Sequence, residues 1–331
     1  MRFDQLARRE FITLLGGAAA WPLAARAQQP NKIPKVGYLW HTGSAADDEP
    51  YFTAVVEGFR KLGYVDGQSI ILEHRFPDET PERFRDMARE LVSMNCDVLM
   101  GGAVSSSYLK AATSKIPIVF MFVPDPIGLK LVDNLAHPGG NVTGLSNFGR
   151  DLVGKRLQFL KEIVPTLSRV ALLVNPDQQT THIYVQEAPA VAGELGLAIQ
   201  IFEARSLKEL DLAFEGMTTA GIQAVITASG GSIFQWRAII PKLAVTHHLA
   251  FCAFSRETFQ DGALMSYVAN QIEMCHRAAV YVDKILKGAK PSELPVEQPT
   301  SVEFLINLKT AKTLGLTVPP TLLTTANEVI E

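Results

Sequence analysis

The chain has 331 residues, 47% hydrophobic and 20% charged, a balance that supports two globular domains with separate cores and excludes a low-complexity or disordered chain. Lys plus Arg is 31 against 34 for Asp plus Glu, and no long run carries one sign. A net charge of −3 spread in this way favours neither nucleic acid nor an anionic membrane surface as partner.

In chain order, residues 1–27 read as a segment apart. Arg8-Arg9-Glu10-Phe11-Ile12 precedes an apolar run containing Gly16 and Gly17, and Ala25-Arg26-Ala27 supplies small residues before a cut at Gln28. The segment reads as a secretory signal peptide, and its paired arginines resemble the twin-arginine type. Its apolar run is about 11 residues, against about 20 for a helix that crosses a bilayer. No other stretch reaches that length, so an exported protein without stable membrane insertion is expected.

Short apolar runs then alternate with amphipathic segments, the pattern of parallel sheets covered by helices. Strands are predicted at 36–40, 69–74, 97–100, 118–122 and 142–145. Between them, Phe52, Val55, Val56, Phe59 and Leu62 share one helical face, as do Phe84, Met87, Ala88, Leu91 and Val92. The second half repeats the order at offsets of about 130 residues. Residues 170–174 stand for 36–40, Leu195-Gly196 for the helix end Leu62-Gly63, 224–226 for 97–99, and 248–254 for 116–122. A strand at 263–268 and a helix at 271–287 follow, the latter with Ile272, Cys275, Ala279, Val282 and Leu286 on one face. After a Pro-rich stretch to Pro299 come a strand near Phe304 and a helix near 308–314, a tail expected to cross back and finish both sheets. The fold class is α/β, two Rossmann-like lobes with parallel sheets and a ligand cleft between them. Lobe 1 takes residues 31–146 plus 270–295, and lobe 2 takes 147–268 plus 296–331.

In open parallel sheets a ligand lies beyond the carboxyl ends of the strands. The loops there span 40–44, 101–106 and 123–127 in lobe 1, and 175–179, 228–232 and 254–256 in lobe 2. They give the candidate ligand-binding residues Trp40, Thr42, Val104, Ser105, Asp125, Asn175, Ser229, Gly230, Phe254 and Ser255. Ser105 and Ser229 sit where helices begin, and free N–H groups there favour a carboxylate. Asp125 suits an ammonium or hydroxyl group, and Asn175 both donates and accepts. Trp40 and Phe254 offer flat apolar faces. Each has an ordinary structural use as well: N-capping serines, an Asp-Pro turn, an Asn-Pro loop cap, and rings that belong to the core.

Other chemistry finds no support. Residues 149–156 match most of a phosphate loop, but Arg156 replaces the Mg²⁺-binding hydroxyl, and Val153, Leu157, Leu160 and Val164 make a helix face through it. The first loop lacks G-x-G-x-x-G, there is no G-x-S-x-G elbow, and the seven histidines show no metal spacing. No catalytic residue, cofactor or metal is therefore expected. Cys96, Cys252 and Cys275 are an odd number; Cys96 and Cys252 read as buried thiols, and a Cys252–Cys275 bridge stays open.

Several motifs occur together in order: FRKLGYVDGQ at 59–68, IPIVF at 116–120, Asp125-Pro126, HPGGNVTGLS at 137–146, Gly154-Lys155-Arg156, YVDKILKGAKP at 281–291 and INLKTAK at 306–312. With them the chain resembles the ABC transporter substrate-binding family that includes tryptophan- and other aromatic amino-acid-binding members. The resemblance implies a type I periplasmic binding fold with three crossings between the lobes and a hinge near 144–147. It implies a small-molecule ligand, an amino acid or aromatic carboxylate, and ABC permease and ATPase subunits as partners. The loop Gly101-Gly102-Ala103-Val104-Ser105 departs from the Gly-Thr pattern of similar proteins. No Cys follows the cleavage site, so a freely diffusing periplasmic monomer is expected. The alternative function is a periplasmic ligand sensor that signals to a membrane receptor without transport. A repressor reading lacks its helix-turn-helix, because the export signal occupies that place.

Overall fold

The computed structural model describes residues 32–147 and 149–331; the signal-peptide reading lies outside them. From Lys35 onward the chain is one compact unit holding two sheets. The first contains β1 (Lys35–Leu39), β2 (Ile71–Arg75), β3 (Val98–Gly101), β4 (Ile118–Val123) and β5 (Val142–Ser146). These strands are all parallel, in the order β2-β1-β3-β4-β5. The second contains β6 (Arg169–Val174), β7 (Ala198–Glu203), β8 (Ala224–Thr227), β9 (Ala250–Ala253) and β10 (Met265–Ala269), parallel and in the order β7-β6-β8-β9-β10. Relabelled from its own first strand, each sheet runs 2-1-3-4-5, so the duplication read from the sequence extends to strand order.

Helices cover these sheets with the faces their apolar spacing dictates. In lobe 1, α1 (Tyr51–Lys61) buries Tyr51, Ala54, Val55, Gly58 and Phe59, at i, i+3, i+4, i+7 and i+8. Thr80, extended at the start of α2 (Pro81–Ser93), leads into a proline that suits a first turn with no N–H to satisfy. α3 (Ala103–Ala112) follows β3. In lobe 2, α4 (Gly149–Ile163), α5 (Thr181–Glu194), α6 (Leu207–Thr219), α7 (Gly231–Gln235), α8 (Ile240–Thr246) and α9 (Arg256–Gln260) alternate with the strands. Then α10 (Gln271–Leu286), N-capped by Asn270, returns to lobe 1 and lies against α1. The contact is close at Gly58, where an added Cβ would fall 3.0 Å from Ala279 Cβ.

The tail departs from expectation. β11 (Val302–Asn307) pairs antiparallel with β10, and β12 (Glu328–Ile330) pairs parallel with β11. Both extend the second sheet, with α11 (Leu308–Thr313) and α12 (Pro320–Thr325) between them. Lobe 1 receives a single bridge, Leu145 to Glu297, so the tail does not finish both sheets. The cause is geometric. The chain leaves lobe 2 at Ala269 and re-enters opposite it at Val302, so the returning strand must run the other way. The chain thus passes between sheets after β5, between β10 and α10, and before β11. One buried apolar cluster is continuous through both lobes, from Phe59 and Tyr51 to Phe234 and Phe251.

Candidate binding cleft

In both sheets the strand order reverses between the first and third strands, and chain leaving those strands opens a crevice at the carboxyl edge. Residues after β1, β3, β6 and β8 meet there around a cavity of about 110 Å³ that opens to solvent. Lobe 1 supplies most of its rings. Tyr38 on β1 and Trp40, the residue just past its end, stack with centroids 3.7 Å apart. The Trp40 indole N–H donates to His74 Nδ1 at 3.0 Å. Phe122 reaches the cleft through a break in the β4–β5 register between Phe120 and Val123, with its own φ at 57°. Such a bulge re-aims a side chain that regular pleating would send elsewhere. Tyr51 bridges Phe122 and Phe234 of lobe 2, at centroid distances of 5.4 and 5.8 Å. Lobe 2 adds Phe254, Thr180 and the small residues Ser229, Gly230 and Gly231.

A polar chain closes one side. His41 places Nε2 3.1 Å from Asp48 Oδ1 and Nδ1 3.0 Å from Glu79 Oε1. Burial works against the His41 cation, but the Glu79 hydrogen bond and the charges of Asp48 and Glu79 outweigh it and raise the imidazole pKa. Burial raises the Asp48 pKa, offset in part by His41 and Thr42. Glu79 Oε2 accepts from Gln178 Nε2 at 2.8 Å, and Gln178 Oε1 accepts from the Gly231 N–H at 3.0 Å. That relay spans the lobes. A second contact does too: Tyr51 Oη lies 2.5 Å from Glu257 Oε2 and 2.7 Å from Gln271 Oε1. The lobes therefore stand closed on the cleft.

Six of the ten residues expected from sequence line this cavity: Trp40, Val104, Ser105, Ser229, Gly230 and Phe254. Ser105 Oγ donates to the Trp40 carbonyl at 2.8 Å, which ties the two lobe 1 loops together. Thr42 lies fully buried behind the wall and donates to Asp48. Ser255 is buried as the N-cap of α9. Asn175 faces a neighbouring cavity, donating to Ser232 Oγ at 2.9 Å and accepting from the Asp177 N–H. Asp125 is not brought to the cleft: its Oδ1 accepts from the N–H groups of Ile127 and Gly128, at 3.1 and 2.8 Å. The sequence reading missed Glu79, because it took loops only after the first, third and fourth strands of each lobe. His41 stands in the first loop without being singled out by its spacing, and Asp48 lies four residues beyond that loop. All three cysteines are free and buried. Burial pushes Cys96 up to about 11 and Cys252 up to about 12. Cys252 sits in the lobe 2 core and Cys275 in the cluster beneath α10, so the bridge left open by the sequence does not form. Among the described residues, no cluster of three or more His, Cys, Asp or Glu side chains could hold a metal, and no helix is long and apolar enough to cross a membrane.

The chain is similar to several known proteins. Residues 48–330 match the family model described as ABC transporter substrate binding protein. A tyrosine-binding protein of Clostridioides difficile (strain R20291) is 23% identical over 276 residues, covering 81% of this chain and 79% of that one. The ABC domain from Streptococcus pneumonia, solved in complex with L-Trp, superposes with a TM-score of 0.84 at 25% identity, covering 90% of this chain and 100% of that one. A conserved domain protein from Vibrio cholerae gives the same TM-score, identity and coverage.

Proposed function

The chain belongs to the ABC transporter substrate-binding protein family, and from that membership we propose that it is the exported, periplasmic solute-binding component of an importer, taking an aromatic amino acid or related carboxylate. One observation carries the reading: the inter-lobe cavity is walled by Trp40, Tyr51, Phe122, Phe234 and Phe254, and hydrogen bonds from Tyr51 to Glu257 and from Gln178 to Glu79 join the lobes across it. Rings on both lobes grip a flat side chain best when the lobes close, so a ligand of that shape shifts the population towards the closed form. The relay from Glu79 to Gly231 adds a second, weaker hold. The L-Trp and tyrosine ligands of the similar proteins support the same class. The closed form docks on a permease whose ATPase drives uptake; no covalent step is involved.

A thermal-shift screen tests this reading. Bound at about 100 times its Kd, L-Trp, L-Tyr or L-Phe should stabilise the protein by about 2.7 kcal/mol and raise Tm by several degrees. A shift with sugars or nucleosides but with no amino acid would remove the aromatic reading.

A further inference from the structure

We propose that Arg156 and Asn147 anchor the charged head of the ligand, with the carboxylate on the Arg156 guanidinium and the ammonium on Asn147 Oδ1. The inference rests on the cleft being the ligand site and deepens it to recognition of an α-amino acid zwitterion.

Arg156, on α4, is 5% exposed. Among the described residues its one hydrogen bond runs from Nε to the Tyr267 carbonyl, at 2.9 Å, and no carboxylate comes within ion-pair distance. A buried guanidinium without a counter-ion is unfavourable, so a site that keeps one is built to receive an anion. Asn147 shows the complementary lack. It stands where the chain leaves β5, its N–H donates to the Val123 carbonyl at 3.1 Å, and its Oδ1 is buried with no hydrogen-bond partner. An orphaned buried acceptor is as unfavourable as an orphaned donor until a ligand satisfies it.

Both side chains line one small cavity together with Tyr184, Ser229, Phe254 and Gln271. Asn147, Ser229, Phe254 and Gln271 also line the main cleft, so the small cavity is its inner end. The hydroxyls of Ser229 and Tyr184, 2.5 Å apart, supply further donors beside Arg156. An unpaired cation and an unpaired acceptor in one dead end match a head group bearing both charges. Phe254 then leads from that head to the ring-lined wall, where the side chain lies.

Isothermal titration of the purified protein with L-Trp, tryptamine and indole-3-propionate tests the assignment. Wild type should bind L-Trp at least ~100-fold more tightly than either truncated analogue. Arg156→Gln should weaken L-Trp ~100-fold and leave tryptamine within about 3-fold, while Arg156→Lys recovers part of the loss. Asn147→Leu should weaken L-Trp ~10-fold and leave indole-3-propionate within about 3-fold. Equal losses for L-Trp and its analogues in these variants would make both residues structural and overturn the anchor. Should Arg156→Gln fail to fold, wild type decides alone: tryptamine binding as tightly as L-Trp overturns the anchor and leaves the aromatic reading standing. The converse is a wild type that ignores L-Trp yet binds an aliphatic amino acid, with its decarboxylated and deaminated forms much weaker. That result removes the aromatic reading and upholds the anchor. Binding of a neutral solute alone overturns both.

Discussion

Lobe 1 meets the cleft with large rings and with the ionisable set His41, Asp48 and Glu79, whereas lobe 2 meets it with two phenylalanines, hydroxyls and paired glycines at the start of α7. The strand order is the same in both, so the scaffold does not set this difference. It teaches how a duplicated fold divides labour: one copy carries most of the rings and the His41, Asp48 and Glu79 set, and the other, Arg156 at the inner end apart, keeps its backbone bare enough to approach them. Gly231 shows the need, since a Cβ there would fall 1.6 Å from Glu79 Oε1 and 2.8 Å from His41 Nδ1.

The lobes also differ where their fourth and fifth strands pair. In lobe 1 Gly144 faces Phe120, with φ at 153° and a would-be Cβ 2.1 Å from the Phe120 carbonyl oxygen. In lobe 2 Ser266 faces Ala253 and donates its hydroxyl to that carbonyl at 3.2 Å. Gly144→Ala should therefore destabilise by about 3–5 kcal/mol in urea unfolding, and Ser266→Ala by about 1 kcal/mol. Similar losses in the two would erase the contrast. Next in size, Gly231→Ala should reduce ligand affinity ~10- to 100-fold by titration with little change in ligand-free Tm, because it obstructs closure and not folding. Tyr51→Phe removes the hydroxyl shared by Glu257 and Gln271, and should weaken ligand binding by about 1 kcal/mol, read by the same titration.

A smaller effect separates the lobes by pH. The raised His41 pKa means that its stabilisation is complete below the ordinary histidine value of about 6.5 and is lost as pH rises through the raised value. Asp48, also raised, acts in the same sense from a lower pH. His74 and His276, both lowered mainly by burial, act oppositely and below about 6.5. Urea unfolding should thus show lower stability at pH 8.5 than at 6.5, and His41→Gln should flatten that slope. Least of all, Asp125→Ala should leave affinity unchanged and lower stability by about 0.5–1 kcal/mol, the loss of one turn's hydrogen bonds.

Much of this architecture was legible because strands buried on both faces read as unbroken apolar runs, as in β6 and β4. β7 escaped notice because, as an edge strand, it leaves Gln200 and Glu203 exposed and carries no such run. The direction of β11 was illegible: nothing local in Val302–Asn307 records which end of β10 the chain returns to. At the cleft, loops after strands gave six wall residues, since backbone topology alone puts them there. Asp125 misled because the same Asp-Pro pair that offers a carboxylate also closes a turn onto Gly128. Arg156 stayed hidden inside the helix face of Val153, Leu157 and Leu160, where one position in the stripe is a guanidinium.

The placement of α10 also bears on how the polypeptide first takes shape. Its residues Cys275, Ala278, Ala279 and Val282 complete a cluster that includes Phe59 and Met121, yet they follow β6 to β10 of lobe 2 in sequence. During synthesis the N-terminal half emerges with that apolar surface bare, and it must wait for well over a hundred further residues before its cover arrives. A fragment ending at Ser146 should be sticky and unstructured, and adding residues 271–297 in trans should restore its order.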